Sequence, residues 1–175
     1  MVDEEEASTN HRVSPQKRTA HSINYQFTQD FDVVAQKAYE WCVNYDPHDL
    51  SLMGEEGSRK LERVSDDTVI LADTYTSNEM PVTKKKLVRL DPRRLAWTST
   101  HISGPNIHSQ FYYQIVPTGT KTSRLDFRGS WLYYTNRKLT PADVRKIIQR
   151  ERKGDSTSWK RLAKEMEREI GRGTD

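Results

Sequence analysis

The chain of 175 residues has one cysteine, Cys42. A single thiol excludes an internal disulfide, denies any metal site a thiolate pair and argues against redox chemistry. No apolar run is long enough to span a bilayer. Asp3, Glu4, Glu5 and Glu6 stand where an export signal needs a cationic start and an apolar stretch. The expectations are no integral membrane segment and a cytoplasmic location. Charge of one sign is also missing. The net charge is +3, with lysines and arginines interleaved with acids, and no RNA- or DNA-binding motif is present, so nucleic acid is not expected as a partner. His11, His21, His48, His101 and His108 show no metal-ligand spacing, so neither a metal nor a cofactor is expected.

What is present is organised around the last thirty residues. Thr140, Pro141 and Asp143 form a helix start, with a hydroxyl cap, proline at the first position and an acid in the first turn. The pattern predicts a helix over Thr140 to Ile170. Val144, Ile147 and Ile148 make one apolar stripe, and Trp159, Leu162, Met166 and Ile170 a second. Between them Glu151, Gly154, Asp155 and Ser158 interrupt the face. Either the helix kinks at Gly154, or its middle covers something other than close-packed core.

Residues 1–20 are polar and aperiodic and are expected to be a disordered tail, with one domain over 21–175. Ile23, Tyr25 and Phe27 alternate with polar neighbours as a strand. A helix is predicted from an Asp30 or Asp32 cap to about Asn44, and a second over Pro47 to Met53. From Ser58 the period is two, and turn residues cut the stretch into six antiparallel strands: Arg59 to Ser65, Thr68 to Thr76, Val82 to Leu90, Leu95 to Ser103, Ile107 to Pro117 and Thr122 to Tyr134. A three-residue Gly104-Pro105-Asn106 loop sets His101 opposite Ser109, Ser99 opposite Phe111 and Trp97 opposite Tyr113. The next strand places Trp131 opposite Ser109 and Gly129 opposite Phe111.

This element order, with Ala38-Tyr39-Glu40-Trp41 and Asn44-Tyr45-Asp46 after the first strand, resembles the START-like (SRPBCC) superfamily, which includes birch-pollen-allergen-type proteins, polyketide cyclases and coenzyme-Q-binding proteins. The resemblance covers about Ile23 to Ile170. It implies an α+β helix-grip fold: a curved seven-stranded antiparallel sheet wrapped around a long C-terminal helix, with two short helices after the first strand. It also implies a cavity between sheet and helix for a hydrophobic or amphipathic molecule, lipid-, polyketide- or quinone-like. The fold hosts carriers, enzymes and regulators alike.

The inward aromatics Tyr25, Phe27, Trp97, Phe111, Tyr113, Phe127 and Trp131 serve equally as core or as pocket wall. Ser99, His101 and Ser109 share their face, and Asp155 and Trp159 lie above on the helix. Buried polar groups need partners, which a solvated cavity supplies. These twelve residues are the candidate binding set. Non-catalytic binding is the first reading. A cyclase or dehydratase using His101 with Tyr113 or Asp155 is the second, and a partner-binding lipid-transfer module the third. Ser109 activated by His101 lacks an acidic orienter and a glycine elbow. Asp73 and Asp155 form a possible carboxylate pair. Lys84, expected near His101, and Lys86 face either solvent or a cavity mouth, and an acidic or carbonyl head group is expected at that end. No residue pattern sets the oligomeric state.

Overall fold

Alternation builds the first strand, β1, Thr19–Phe31, which buries Ile23, Tyr25 and Phe27. The computed structural model describes residues 18–54, 56–77 and 79–172. β1 takes in Thr19 and Ala20, two residues assigned to the tail, and residues 1–17 lie outside the described residues. The helix α1, Ala35–Cys42, is shorter than the spacing predicts. Asp30 does not cap it, because β1 stays paired through Phe31, opposite Ser123. Val34 stands at the cap with no side-chain bond. The second helix, α2, is one turn, Asp49–Leu52, and seals Leu50 into the interior.

Six strands follow: β2, Gly57–Ser65; β3, Thr68–Ser77; β4, Met80–Asp91; β5, Ala96–Ser103; β6, Gln110–Pro117; and β7, Ser123–Thr135. All are antiparallel, in the spatial order β1-β7-β6-β5-β4-β3-β2. Trp97 pairs with Tyr113, Ser99 with Phe111, and Phe111 with Gly129, so the inward parity read for these residues holds. The β5–β6 connection is longer than three residues. Ile107 is not in a strand; Gly104, Asn106 and His108 all take positive φ, and the His101 N–H still reaches the Ser109 carbonyl at 2.9 Å.

The last helix, α3, runs unbroken over Pro141–Arg172. Thr140 Oγ1 accepts from the Asp143 N–H at 3.2 Å while the Asp143 carboxylate accepts from the Thr140 N–H at 3.0 Å. That reciprocal pair satisfies donors which the first helical turn leaves open. Leu162, Ala163 and Met166 are buried, and Ile148, Trp159 and Ile170 pack against the same core. Gly154 is exposed and faces away from the sheet, so it is not part of the interrupted face. α3 lies across β1, α1 covers β6 and β7, and α2 touches α3 and β2. This is the curved sheet gripping a long helix that the element order implied.

Candidate functional site

Where the inner face of α3 turns polar, helix and sheet do not meet in packed hydrocarbon. A cavity of about 240 Å³ lies there. Asp155, Ser158 and Trp159 border it from α3, and Trp41, Cys42, Tyr45, Asp49 and Met53 from the α1–α2 segment. The strand alternation supplies its floor. Trp97, Ser99 and His101 come from β5, Phe111 and Tyr113 from β6, and Phe127 and Trp131 from β7.

The aromatic wall is continuous. Trp97 stacks on Tyr113 at 4.8 Å with the rings nearly parallel, and Trp159 lies 5.9 Å from Tyr113. Phe111 meets Trp131 edge to face at 5.2 Å. Such offset and edge contacts fix ring orientations and leave faces available to a third ring.

Three of the twelve candidate residues lie outside the lining. Phe27 stacks on Phe127 at 4.5 Å, one layer behind it. Ser109 is fully buried, and its hydroxyl accepts from the Leu132 N–H at 2.9 Å. That bond holds it to the β7 backbone, outside the cavity lining. Tyr25 sits beneath the wall, where its hydroxyl accepts from Trp131 Nε1–H and donates to the Asp155 carboxylate. Burial raises the Tyr25 hydroxyl well above its ordinary range, and the Asp155 charge raises it further.

The opposite end of the cavity is ionic, and little of it was read from sequence. Asp73 is fully buried. Arg59 grips it in a fork, Nε at 2.7 Å and Nη2 at 3.2 Å, and Lys86 Nζ approaches at 2.6 Å. Burial acts to raise the Asp73 carboxyl, but the two cations outweigh it and hold the group below the usual range. Burial lowers Lys86. Both Lys84 and Lys86 face the cavity rather than solvent. Asp73 is thus bonded to Arg59 and Lys86, and Asp155 to Tyr25.

His101 is opposed by Lys86, not by the expected Lys84, because the β4–β5 turn takes in Leu95, which has a positive φ, so that Asp91 pairs with Ala96 and the register moves by two residues. Burial, then the charges of Lys84 and Lys86, push its pKa down to about 3. The imidazole is therefore neutral at physiological pH and cannot supply a positive charge. Two other carboxyls border the cavity with the reverse shift. Burial raises Asp155 to about 6 and Asp49 to about 6, the latter despite Arg59 at 3.7 Å. Burial also pushes the Cys42 thiol up, so it stays protonated.

Trp41, Cys42 and Tyr45 had a signal, the helical spacing of α1. Arg59 had none. It sits on the edge strand β2, and only its pairing with Asp73 brings it inward. Among the described residues no group of three or more His, Cys, Asp or Glu side chains is placed to hold a metal ion, and no helix is long and apolar enough to cross a membrane.

No protein-family model matches the chain, and no curated protein matches it. Solved structures do. An aromatase/cyclase (Zhui) from Streptomyces sp. R1128 superposes with a TM-score of 0.69 at 12% identity, over 86% of this chain and 96% of that one. Ara h 8.0201 gives 0.62 at 10% identity, over 85% and 98%. A START superfamily protein from Mycobacterium smegmatis gives 0.60 at 13%, over 86% and 99%. Identities this low carry architecture and not activity. The chain has the helix-grip fold of the START-like (SRPBCC) superfamily.

Proposed function

We propose that the chain binds a small hydrophobic or amphipathic molecule non-covalently in the cavity between the sheet and α3. The observation that carries this reading is the coincidence of an aromatic-lined void of about 240 Å³ with the one stretch of α3 whose inner face is polar. A sequence selected only for packing places hydrocarbon there. The size bears on the occupant. Pockets for drug-sized ligands are roughly 300–1,000 Å³, and this one falls below that range, which favours a molecule of one or two rings over a lipid chain and weakens the lipid-transfer alternative.

A cyclase- or dehydratase-type enzyme is the second reading, favoured by Asp155. A carboxyl at about 6 that borders the cavity is poised to exchange a proton near neutral pH, with Tyr113 beside the void. The matched aromatase/cyclase adds weight by analogy of fold alone. His101, neutral and weakly basic, drops out of that scheme as a general base. Native mass spectrometry of protein purified without denaturation separates the readings. A stoichiometric small-molecule adduct supports binding. An empty protein that turns over an aromatic polyketide supports the enzyme.

A further inference from the structure

His101 Nδ1 is buried and has no hydrogen-bond partner among the described residues. The residue is 4% exposed and lines the cavity. Its ring is hemmed by Phe111 at 5.0 Å and by the edge-on Trp131 at 6.0 Å, neither of which offers Nδ1 a proton. The carbonyls of Pro105 and Asn106 act on the ring as hydrogen-bond acceptors. Nδ1 makes no hydrogen bond, so the proton that these carbonyls favour is assigned to Nε2. Nδ1 then presents a bare lone pair.

Other polar groups of the cavity are engaged. Asp73 holds Arg59 and Lys86, and Asp155 accepts from Tyr25, which accepts from Trp131. Another deeply buried polar atom without a partner among the described residues of the lining is the Tyr45 hydroxyl. A hydroxyl both donates and accepts, so it sets no direction. The imidazole nitrogen does, since a lone pair buried without a donor is costly.

We propose that His101 selects the occupant as a hydrogen-bond acceptor, and that the occupant is a small aromatic molecule donating an O–H to His101 Nδ1. This rests on the binding function proposed above. The aromatic wall takes the ring face, and the occupant's hydroxyl satisfies the orphaned nitrogen. A positively charged His101 would reverse the preference, seeking an acceptor instead.

The test uses the intact protein and three probes of nearly the same shape: naphthol, its methyl ether and naphthalene. Affinities are read by isothermal titration calorimetry. Naphthol should bind at least about tenfold tighter than the ether, equivalent to roughly 1.4 kcal/mol, and the ether should match naphthalene within about threefold. In a ¹⁵N-labelled sample, the Nδ1 resonance of His101 should move with naphthol and not with naphthalene. In His101→Phe the naphthol preference should collapse. Ether and naphthol binding equally well to the parent protein would overturn the donor rule while leaving the cavity as a binding site. Failure of all three probes to bind would overturn the binding function itself, and the donor rule with it.

Discussion

Lys86 and His101 face each other across β4 and β5, a half-buried ammonium against a buried imidazole. Lys86 has Asp73 at 2.6 Å. His101 has no carboxylate, and it yields its proton. The charge at this end of the cavity is therefore held by lysine and arginine, and the histidine contributes a lone pair.

The first prediction is a pH dependence. A histidine near 6.5 in the unfolded chain and at about 3 in the folded one adds stability above the unfolded value. That contribution is lost as pH falls from about 6.5 toward 3, because only the unfolded state takes up the proton. Asp155 and Asp49, raised to about 6, act in the opposite sense, their penalty growing as pH rises through that value. Comparing the parent with His101→Phe isolates the histidine: the stability of the parent relative to the variant should fall by on the order of a few kcal/mol between about pH 6.5 and pH 4. A His101 ring that titrates near 6.5 by NMR would contradict this.

Removing Asp73 should be far more damaging than removing a surface acid. Asp73→Ala leaves Arg59 and Lys86 buried without their shared carboxylate, a loss of about 3–5 kcal/mol. Urea denaturation reads it. A loss under about 1 kcal/mol, typical of exposed pairs, would show that the cluster is solvated.

The contrast between Asp73 and Phe111 marks what the sequence conveys. Phe111, Tyr113, Phe127 and Trp131 alternate along long strands, so one parity places all of them, and the turns pin that parity. The helix start at Thr140 is equally local. The ion cluster is not. Arg59, Asp73 and Lys86 meet across three strands, and no spacing along the chain joins them. Ser109 shows the same limit: its inward parity is legible, but no spacing along the chain tells that its hydroxyl accepts from the Leu132 N–H of the neighbouring strand. The α1 boundary differs from the expected one because β1 keeps its pairing past Asp30 to Phe31, and the helix then starts at Ala35 behind Val34, past Asp32.

Gly129 is a tight site and not a vacancy. A Cβ there would lie 3.1 Å from Phe127 Cε1 and 3.3 Å from Phe111 Cδ1. Gly129→Ala should therefore cost about 1–3 kcal/mol through overpacking, seen as a lower denaturation midpoint. An unchanged midpoint would mean that the two rings move aside freely.

Gly154 is the opposite case. Its Cβ direction meets nothing within 4 Å, on the solvent side of a continuous helix. Gly154→Ala should stabilise the fold by about 0.4–1 kcal/mol and leave the on- and off-rates of a fluorescent hydrophobic probe unchanged in stopped-flow mixing. Slowed rates at equal affinity would instead identify Gly154 as a hinge of α3.

Filling the void and asking whether binding is lost tests the central claim most directly. Ser99 is buried at the cavity floor, between Val88 and Phe111 on the neighbouring strands. Ser99→Phe directs a ring into the space of about 240 Å³. Calorimetric titration with naphthol, beside a melting curve, is the measurement. The account predicts a melting temperature within a few degrees of the parent and an affinity at least about tenfold lower, equivalent to roughly 1.4 kcal/mol. Naphthol bound by the folded variant as tightly as by the parent would place its site elsewhere and contradict the account.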